Sequence, residues 1–316
     1  MGTESELVLP VEAVDKEALI QRNPHGNWEE VQAKRVSYDS SEIWSVSKTP
    51  RPHWKVGEGA STSDEWKSKR RITIAPYEED RATVQNYKLM ISTSVYIPQF
   101  WLFYAPSLTM NSAVPRPVVV VSTVSKDGVA NIAPFSYFQN VCTDPPLYSL
   151  SLVGDEPNDT LKNILETQEC AVSFVSDWFI EAANYSSINT PPHISEWPLS
   201  GLTPGASCHV KPSIVSESAF SAECKLHSKQ HLTNREGKQA ATLVLLEVVM
   251  WHVREDLISG DPKRATADLK LLRPIWRGGG ITYGTVVKGF ELPRPVAWRK
   301  VKDEPGVQAV MTSIIA

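Results

Sequence analysis

Residues 122–146 read STVSKDGVANIAPFSYFQNVCTDPP, and this stretch decides the fold prediction. Lys126-Asp127-Gly128 is a turn signal between two apolar runs, so the stretch predicts a β-hairpin that stops at Pro145-Pro146. A proline followed by small, hydroxyl and aromatic residues, as in Ala133–Phe138, is disfavoured in a central strand, because proline cannot donate a hydrogen bond to a neighbouring strand. We therefore expect this segment to leave the sheet edge and to lie against a flat ligand.

The composition is that of an ordinary globular chain of 316 residues, 41% of them hydrophobic. The formal net charge of -4 does not indicate a positively charged binding surface, so we expect no nucleic acid partner. The N-terminus has no basic region followed by an apolar run, which favours a cytoplasmic location over secretion. Cys170 and Cys224 lie in apolar, strand-like runs, which favours buried thiols over disulfides. His227 and His231 are four residues apart, but their region reads as strand and loop, so we expect no metal.

Strands dominate the rest of the pattern. The runs that predict strands are 118–124, 147–152, 170–175, 220–226 and 240–253, and those that predict short helices are 158–167 and 177–185. Because strands and helices do not alternate regularly, the pattern favours a β-barrel with a few helices over a doubly wound sheet. Residues 1–85 are polar and lack periodicity, so we expect an irregular extension that packs on the core. Residues 93–110 are apolar and about as long as a membrane span, but two prolines interrupt them and no second span follows, so we expect no membrane span there.

Three groups of residues are candidates for ligand binding. Thr123 and the segment Phe135–Phe138 offer hydroxyl and backbone N–H groups to a flavin ring edge and ribityl chain; the alternative is an edge hairpin with a buried aromatic residue. Asn158-Asp159-Thr160 begins a helix, where backbone N–H groups favour a phosphate; the alternative is simple capping. Arg277, followed by three glycines and Tyr283, combines a cation with close backbone approach; the alternative is a flexible loop.

Taken in this order, the motifs resemble the flavin reductase-like family of FMN-binding split barrels, on its flavoredoxin-like side. The resemblance spans 114–295. It rests on the blocks VPRPVVVVSTVSKDGVANIAPFSYFQNVCTDPP, NDTLKNILETQECAVSFVS, EAANYSSI, SEWPLSGLTP, FSAECKL and GGITYG. The blocks TPRPHWKVGEG, IAPYEEDRATVQNYKLMIS and GFELPRP resemble the longer fungal members. The resemblance implies a mainly β, Greek-key split barrel at 86–300, between the extension 1–85 and a C-terminal tail at 301–316.

The resemblance also implies a homodimer with one FMN near each subunit interface and NAD(P)H as the reductant. The positions to which it carries cofactor binding are Thr123, Ala133, Pro134, Phe135, Ser136, Tyr137, Phe138, Gln139, Ser151, Asn158, Thr160, Arg277 and Tyr283. No acid or base residue is implied, because the flavin carries the chemistry. The electron acceptor is a free flavin, a small organic substrate or a flavin-dependent oxygenase partner.

The chain departs from the family pattern in three places. Asn158 stands where the family has the lysine of Lys-Asp-Thr, and Gly278 stands where it has the leucine of Arg-Leu-Gly-Gly. Relatives run from NYKL-x-IS almost directly into VPRP, so residues 93–113 are either a lineage-specific insertion or a retained intron.

Two alternatives to a flavin-reducing enzyme stay open. One is a flavin-binding protein without turnover, which the missing lysine permits, and the other is a substrate-specific tailoring oxidase or reductase of secondary metabolism.

Overall fold

The computed structural model describes residues 27–35, 50–54, 60–77, 89, 115–258, 266–278, 281–286 and 297–315. The atypical segment 93–113 lies outside these ranges, as does much of the extension 1–85. The α-helices are α1 Trp28–Ala33, α2 Glu65–Ser68, α3 Asp159–Thr167, α4 Ile180–Tyr185, α5 Trp197–Ser200, α6 Leu269–Leu272, α7 Trp298–Val301 and α8 Pro305–Ile315. Helices α1, α7 and α8 belong to one compact unit, and the other described elements belong to a second unit, Ser47–Lys288.

The second unit is built from antiparallel strands. They are β1 Arg71–Ile74, β2 Arg116–Pro117, β3 Val119–Val124, β4 Ala130–Phe135, β5 Phe138–Thr143, β6 Pro146–Val153, β7 Glu169–Phe174, β8 Pro204–Gly205, β9 Ile214–Val215, β10 Phe220–Thr233, β11 Gln239–Arg254, β12 Ile275–Arg277 and β13 Tyr283–Thr285. The main sheet has the order β4-β3-β7-β10-β11-β6-β5, with β1 also paired to β11. Two small sheets, β13-β12-β2 and β8-β9, complete the described strands.

This architecture confirms the predicted mainly β split barrel with a few short helices. Strands distant in sequence are neighbours in the sheet, such as β3 beside β7 and β11 beside β6, as Greek-key crossovers require. Strand β3 is β-branched except at Ser122, and its residues from Val119 to Thr123 are buried on both faces of the sheet. It pairs with β4 and β7 on its two sides and packs against α3. Edge-to-face aromatic contacts, at 5.6 Å for Phe138–Phe174 and 5.3 Å for Phe174–Phe220, fill the core.

The predicted hairpin forms, and its turn follows the sequence signal. Ser125 N–H donates to the Val129 carbonyl at 2.9 Å. Gly128 takes a φ of 85°, a left-handed conformation that suits a residue without a Cβ. The resulting register places Thr123 opposite Asn131.

Strand β4 lies at the edge of the main sheet, and Pro134 is inside it. The Ile132 N–H points away from β3 and donates to Glu196 Oε2 at 3.2 Å. Pro134, two residues on, has its ring nitrogen on the same open side, where a missing donor costs no ladder bond. The chain leaves the edge at Ser136–Tyr137 rather than at the proline, and it returns as β5, a strand that the sequence pattern did not predict.

Two other segments differ from the sequence prediction in extent. Strand β10 continues to Thr233, beyond the predicted end at Leu226, because it keeps pairing with β11 after it has left β7. Within the predicted extension, Arg71–Ile74 adds a strand to the main sheet by pairing with β11.

The four cysteines are free thiols, and Cys170 and Cys224 are buried, as predicted. The two residues lie opposite each other on β7 and β10. Among the described residues, no helix is long and apolar enough to cross a bilayer.

Glu223 ties a loop to the main sheet. Its carboxylate is fully buried and accepts hydrogen bonds from the backbone N–H groups of Cys208, His209 and Val210 at 2.7, 2.5 and 2.9 Å. His252 Nε2 lies 2.5 Å from Glu223 Oε1. Burial by itself raises the pKa of Glu223, but these hydrogen bonds outweigh burial and lower the pKa to about 2.

Candidate functional site

A buried cluster of two threonines and two asparagines lies where β3 and β4 meet the start of α3. Asn131 Nδ2 donates to Thr123 Oγ1 at 3.2 Å and to Thr160 Oγ1 at 3.0 Å. Asn163 Nδ2 donates to Thr123 Oγ1 at 3.0 Å. None of the four residues is more than 9% exposed. We call Thr123, Asn131, Thr160 and Asn163 the amide cluster, and it joins two predicted site residues, Thr123 and Thr160, at one place.

Local geometry explains why these residues meet. The hairpin register sets Asn131 directly across from Thr123 on the neighbouring strand. Thr160 and Asn163 are three residues apart on α3, so they share one helix face. That face packs against β3 and β4, which brings both side chains onto the hairpin.

Asn158 caps α3. Its Oδ1 accepts a hydrogen bond from Leu161 N–H at 2.9 Å, and its backbone is extended, with φ -69° and ψ 170°. The Asn158 side-chain oxygen therefore caps the helix, which is one of the two functions that the sequence predicted for this position. The neighbouring Thr160 side chain turns into the amide cluster instead.

A cleft of about 570 Å³ opens beside the amide cluster. Asn131 and Asn163 line it, together with the cations Lys126 and Lys162 and the carboxylates Asp127, Asp159, Glu166 and Glu196. Its volume falls within the usual range of small-molecule sites, about 300–1,000 Å³. Glu196 closes one wall, and its buried carboxylate accepts the Ile132 N–H from the edge strand.

A second polar group lies at the other end of β4. Strands β2 and β12 pair so that Arg116 is directly opposite Arg277, and we call these two residues the arginine pair. Arg116 is 8% exposed, and its Nη2 donates to the Gly278 carbonyl at 2.6 Å. Its Nε donates to Ser136 Oγ at 3.4 Å, and its guanidinium lies 5.9 Å from the Tyr137 ring centroid. Burial lowers the pKa of Arg116; Tyr137 acts in the opposite direction, and the charge of Arg277 lowers the pKa further.

Arg277 stacks on Tyr283. Its guanidinium lies 4.3 Å from the ring centroid, and its Nη1 donates to the Tyr283 hydroxyl. That hydroxyl in turn donates to Asn184 Oδ1 at 2.9 Å, which links the β12–β13 hairpin to α4. The glycine after Tyr283 is required by packing, because a Cβ at Gly284 would lie 2.3 Å from Trp276 Cζ2. The described parts of the predicted loop, β12 and β13, thus pair as two strands of a small sheet.

The remaining predicted residues lie on β4, β5 and β6. Ala133, Pro134 and Phe135 form the end of the edge strand, and the Tyr137 ring is 44% exposed. Ser151 N–H donates to the Tyr137 carbonyl at 2.9 Å and so holds the corner after β4. Phe138 packs in the core 4.9 Å from Tyr148, centroid to centroid, so its backbone rather than its ring is available to a ligand. Gln139 Oε1 accepts the Asn140 N–H at 3.1 Å.

The predicted site residues thus fall into two groups at opposite ends of one edge strand. Ser136 follows Asn131 by five residues, which corresponds to about 17 Å of extended chain. Thr123, Asn158 and Thr160 belong to the first end. The residues of the second end are Ser136, Tyr137, Ser151, Arg277 and Tyr283.

Sequence reasoning missed Asn131, Asn163 and Arg116. Asn131 could have been predicted from the sequence, because a hairpin with its turn at Gly128 places Asn131 opposite Thr123. Asn163 was accessible too, since it follows Thr160 by three residues on a predicted helix. Arg116 carried no local signal, because its contacts depend on the pairing of β2 with the distant β12.

Comparison with known proteins identifies relatives over the same region. Residues 110–265 match the family described as flavin reductase like domain. A protein of Halalkalibacterium halodurans without a characterised activity is 36% identical over 192 residues, covering 60% of this chain and 90% of that protein. Nitrilotriacetate monooxygenase component B from Bacillus cereus is 33% identical, with a TM-score of 0.57 over 62% of this chain and all of that chain.

A more distant structure has the same fold. A protein of Shewanella frigidimarina, assigned as a flavin reductase with a split barrel domain, is 23% identical with a TM-score of 0.54. It aligns with 60% of this chain and 91% of that chain. These relatives are bacterial, and the fungal character of the longer blocks stays a prediction.

Proposed function

The chain belongs to the flavin reductase-like family, and we propose that it is an FMN-dependent oxidoreductase that accepts hydride from NADH or NADPH. Its electrons then pass to a second flavin, a partner protein or a small organic substrate. The observation that carries this proposal is the pair of polar groups at the two ends of edge strand β4. A flat cofactor with a phosphate tail needs that arrangement: a phosphate site at one end of a strand and an open strand edge leading away from it.

The residues at the amide cluster fit a phosphate. Threonine hydroxyls and asparagine amides supply hydrogen-bond donors, and the start of the nine-residue helix α3 adds backbone N–H groups. Lys126 and Lys162 line the adjacent cleft with four carboxylates, and we propose that these two lysines, rather than a residue at position 158, face the phosphate. We propose that the hydroxyls of Thr123 and Thr160 donate to the phosphate, while Asn131 donates to both hydroxyl oxygens and so orients them.

The residues at the other end fit a flat ring. The backbone of Ser136 and Tyr137, where the chain leaves the edge of β4, offers hydrogen-bonding groups. Pro134 keeps that edge free of one N–H group and stiffens it. The Ser136 hydroxyl and the arginine pair bring donors and positive charge to the same place.

FMN, when bound, supplies the two-electron centre that takes up hydride. The chain's own residues bind and orient, and no side chain needs to act as acid or base in that step. The positive charge of the arginine pair stabilises negative charge that develops beside Ser136. The Tyr137 ring offers a flat, half-exposed surface over which a second planar molecule can lie.

A homodimer in a reducing cytoplasm is part of this proposal. The four free thiols suit such a compartment. The similarity to a monooxygenase component supports a flavin-dependent oxygenase as one electron-accepting partner.

The test is a visible spectrum of the purified protein, followed by anaerobic titration with NADH and, separately, with NADPH. We expect bound yellow flavin that bleaches with one of the two. No flavin binding even after FMN is supplied would refute the proposal. Size-exclusion chromatography with light scattering tests the dimer in the same preparation.

A flavin-binding protein without turnover is the second candidate. One observation favours it: the Asn158 oxygen caps α3, where the family places a lysine beside the phosphate. Flavin that binds but does not bleach with either nucleotide, and is reduced by dithionite, would establish this alternative.

A further inference from the structure

Three side chains that can bind a metal converge where the loop between β8 and β9 meets the main sheet. Cys208 belongs to that loop, Glu223 to β10 and His252 to β11, and their ligand atoms all lie within 4.8 Å of one another. Glu223 and His252 are buried, whereas Cys208 is exposed. We call these three residues the Cys-Glu-His cluster. Neither His227 nor His231, the spaced pair on β10, belongs to it, and it shares no residue with the proposed flavin site.

Strand register and loop closure position the cluster. Ser221 pairs with His252 across β10 and β11, and Glu223 follows Ser221 by two residues, so the carboxylate and the imidazole share one face of the sheet. The loop is closed at its base by the pairing of β8 with β9. Within it, Ser207 Oγ donates to the Pro212 carbonyl at 2.6 Å. The loop therefore presents its thiol to that face from an ordered position.

The donor set suits zinc. Thiolate sulfur, imidazole nitrogen and carboxylate oxygen are the ligands that Zn²⁺ takes in proteins, and three of them leave a fourth position for water. The charges balance as well, because a thiolate and a carboxylate neutralise a divalent ion while the imidazole stays neutral. The carboxylate of Glu223 is ionised at neutral pH, since its pKa is lowered to about 2. Burial and the charge of Glu223 raise the pKa of the Cys208 thiol, so zinc has to displace that proton.

Small movements convert the cluster into a zinc site. His252 Nε2 and Glu223 Oε1 are 2.5 Å apart, whereas a nitrogen and an oxygen on tetrahedral zinc lie about 3.4 Å apart, so the two atoms need to separate by about 0.9 Å. The Cys208 sulfur needs to approach them from at most 4.8 Å to about 3.6 Å, and it belongs to an exposed residue of a loop.

The other hydrogen bonds of Glu223 support a metal rather than compete with it. The backbone N–H groups of Cys208, His209 and Val210 keep donating to the carboxylate while zinc replaces its contact with His252. Metal-binding carboxylates are commonly oriented by such bonds. We propose that Cys208, Glu223 and His252 bind a zinc ion that fastens the β8–β9 loop to the main sheet.

The zinc content of the purified chain after equilibrium dialysis tests this proposal. Protein that has been reduced and treated with a chelator is dialysed against buffered zinc and measured by elemental analysis, and we expect one zinc ion per chain. Cys208→Ser and His252→Gln each remove one ligand. Each should weaken zinc binding at least about tenfold, since even groups that merely orient a ligand contribute that much. Cys142→Ser and His227→Gln are the matched controls, because they remove a thiol and an imidazole outside the cluster, and they should bind zinc as wild type does.

Cobalt(II) supplies a signature that a purely structural thiol would not produce. Added in place of zinc, it should give a thiolate-to-metal absorption band in the difference spectrum of wild type, and Cys208→Ser should lack that band. Because Cys208 is exposed, we expect this variant to fold, and a thermal melt checks it; zinc should raise the melting temperature of wild type and leave that of Cys208→Ser unchanged.

Three results would overturn the zinc site. They are no zinc bound by wild type, equal zinc binding by wild type and Cys208→Ser, and zinc bound by wild type without the cobalt band. In each case the Cys-Glu-His cluster would be a hydrogen-bonded anchor for the loop and nothing more. The outcome does not depend on FMN, so a failure of the proposed function would leave the zinc site standing.

Discussion

Replacing Asn131 by aspartate tests the phosphate end of the site most sharply. The change keeps the shape of the side chain but turns its donor Nδ2 into an acceptor and adds one negative charge. In the free protein, the hydroxyls of Thr123 and Thr160 can rotate to donate to the new carboxylate over the present 3.2 and 3.0 Å. The fold should therefore persist, with a loss of about 1–3 kcal/mol for a buried group whose hydrogen bonds have been rearranged.

The effect on FMN should be larger. A phosphate oxygen bound to the Thr160 hydroxyl lies one further hydrogen bond from residue 131, which puts it about 5 Å from the carboxylate. At an effective dielectric constant of about 20, two like unit charges at that distance repel by about 3 kcal/mol. We therefore expect Asn131→Asp to weaken FMN binding roughly 100-fold.

Fluorescence titration measures this, and riboflavin is the internal control because it lacks the phosphate. Its affinity should change little in Asn131→Asp. Asn234→Asp is the matched variant: the Asn234 oxygen accepts from Glu236 N–H and Lys238 N–H at 2.9 and 3.0 Å in an exposed turn, and a carboxylate accepts the same bonds. An equal loss of FMN and riboflavin affinity, or no loss of either, would refute the assignment of the amide cluster to the phosphate.

Three further changes have defined outcomes. Asn158→Lys should lower the free energy of unfolding by about 0.5–2 kcal/mol through loss of the cap, yet tighten FMN binding about tenfold; unchanged affinity would place the phosphate elsewhere. Gly284→Ala brings a Cβ to 2.3 Å from the Trp276 ring and should cost about 1–3 kcal/mol in urea unfolding, with recovery when Trp276→Leu is added; a stability equal to wild type would contradict the packing. Because the pKa of Glu223 is lowered to about 2, its contribution is present above about pH 4.5 and fades as the pH falls toward 2. Glu223→Gln should therefore be less stable than wild type at pH 7, and that difference should shrink over this window in denaturant titrations; a pH-independent difference would exclude the ionised carboxylate of Glu223 as its source.

Much of the fold could be predicted from short stretches of the sequence. The β-branched run before Val124 predicted β3, and Lys126-Asp127-Gly128 predicted the turn, because each depends on neighbouring residues only. Helix α3 was predicted with Asn158 at its start for the same reason, since capping acts within one turn. Strand β5 was missed because Phe138–Thr143 mixes aromatic and polar residues without a clear period of two, and its pairing with β6 has a register shift between Asn140 and Cys142.

The candidate site likewise has features that depend on neighbouring residues and features that depend on distant ones. Side-chain chemistry and short-range periodicity are local properties, and they were enough to predict a β-rich chain with candidate hydroxyl and guanidinium groups for ligand binding. Only the folded chain shows that Thr123 lies with Thr160 around Asn131, and that Arg116 is opposite Arg277, more than 150 residues away in sequence. Such contacts arise from strand pairing between distant segments, and burial of the whole sheet sets that pairing rather than any local preference.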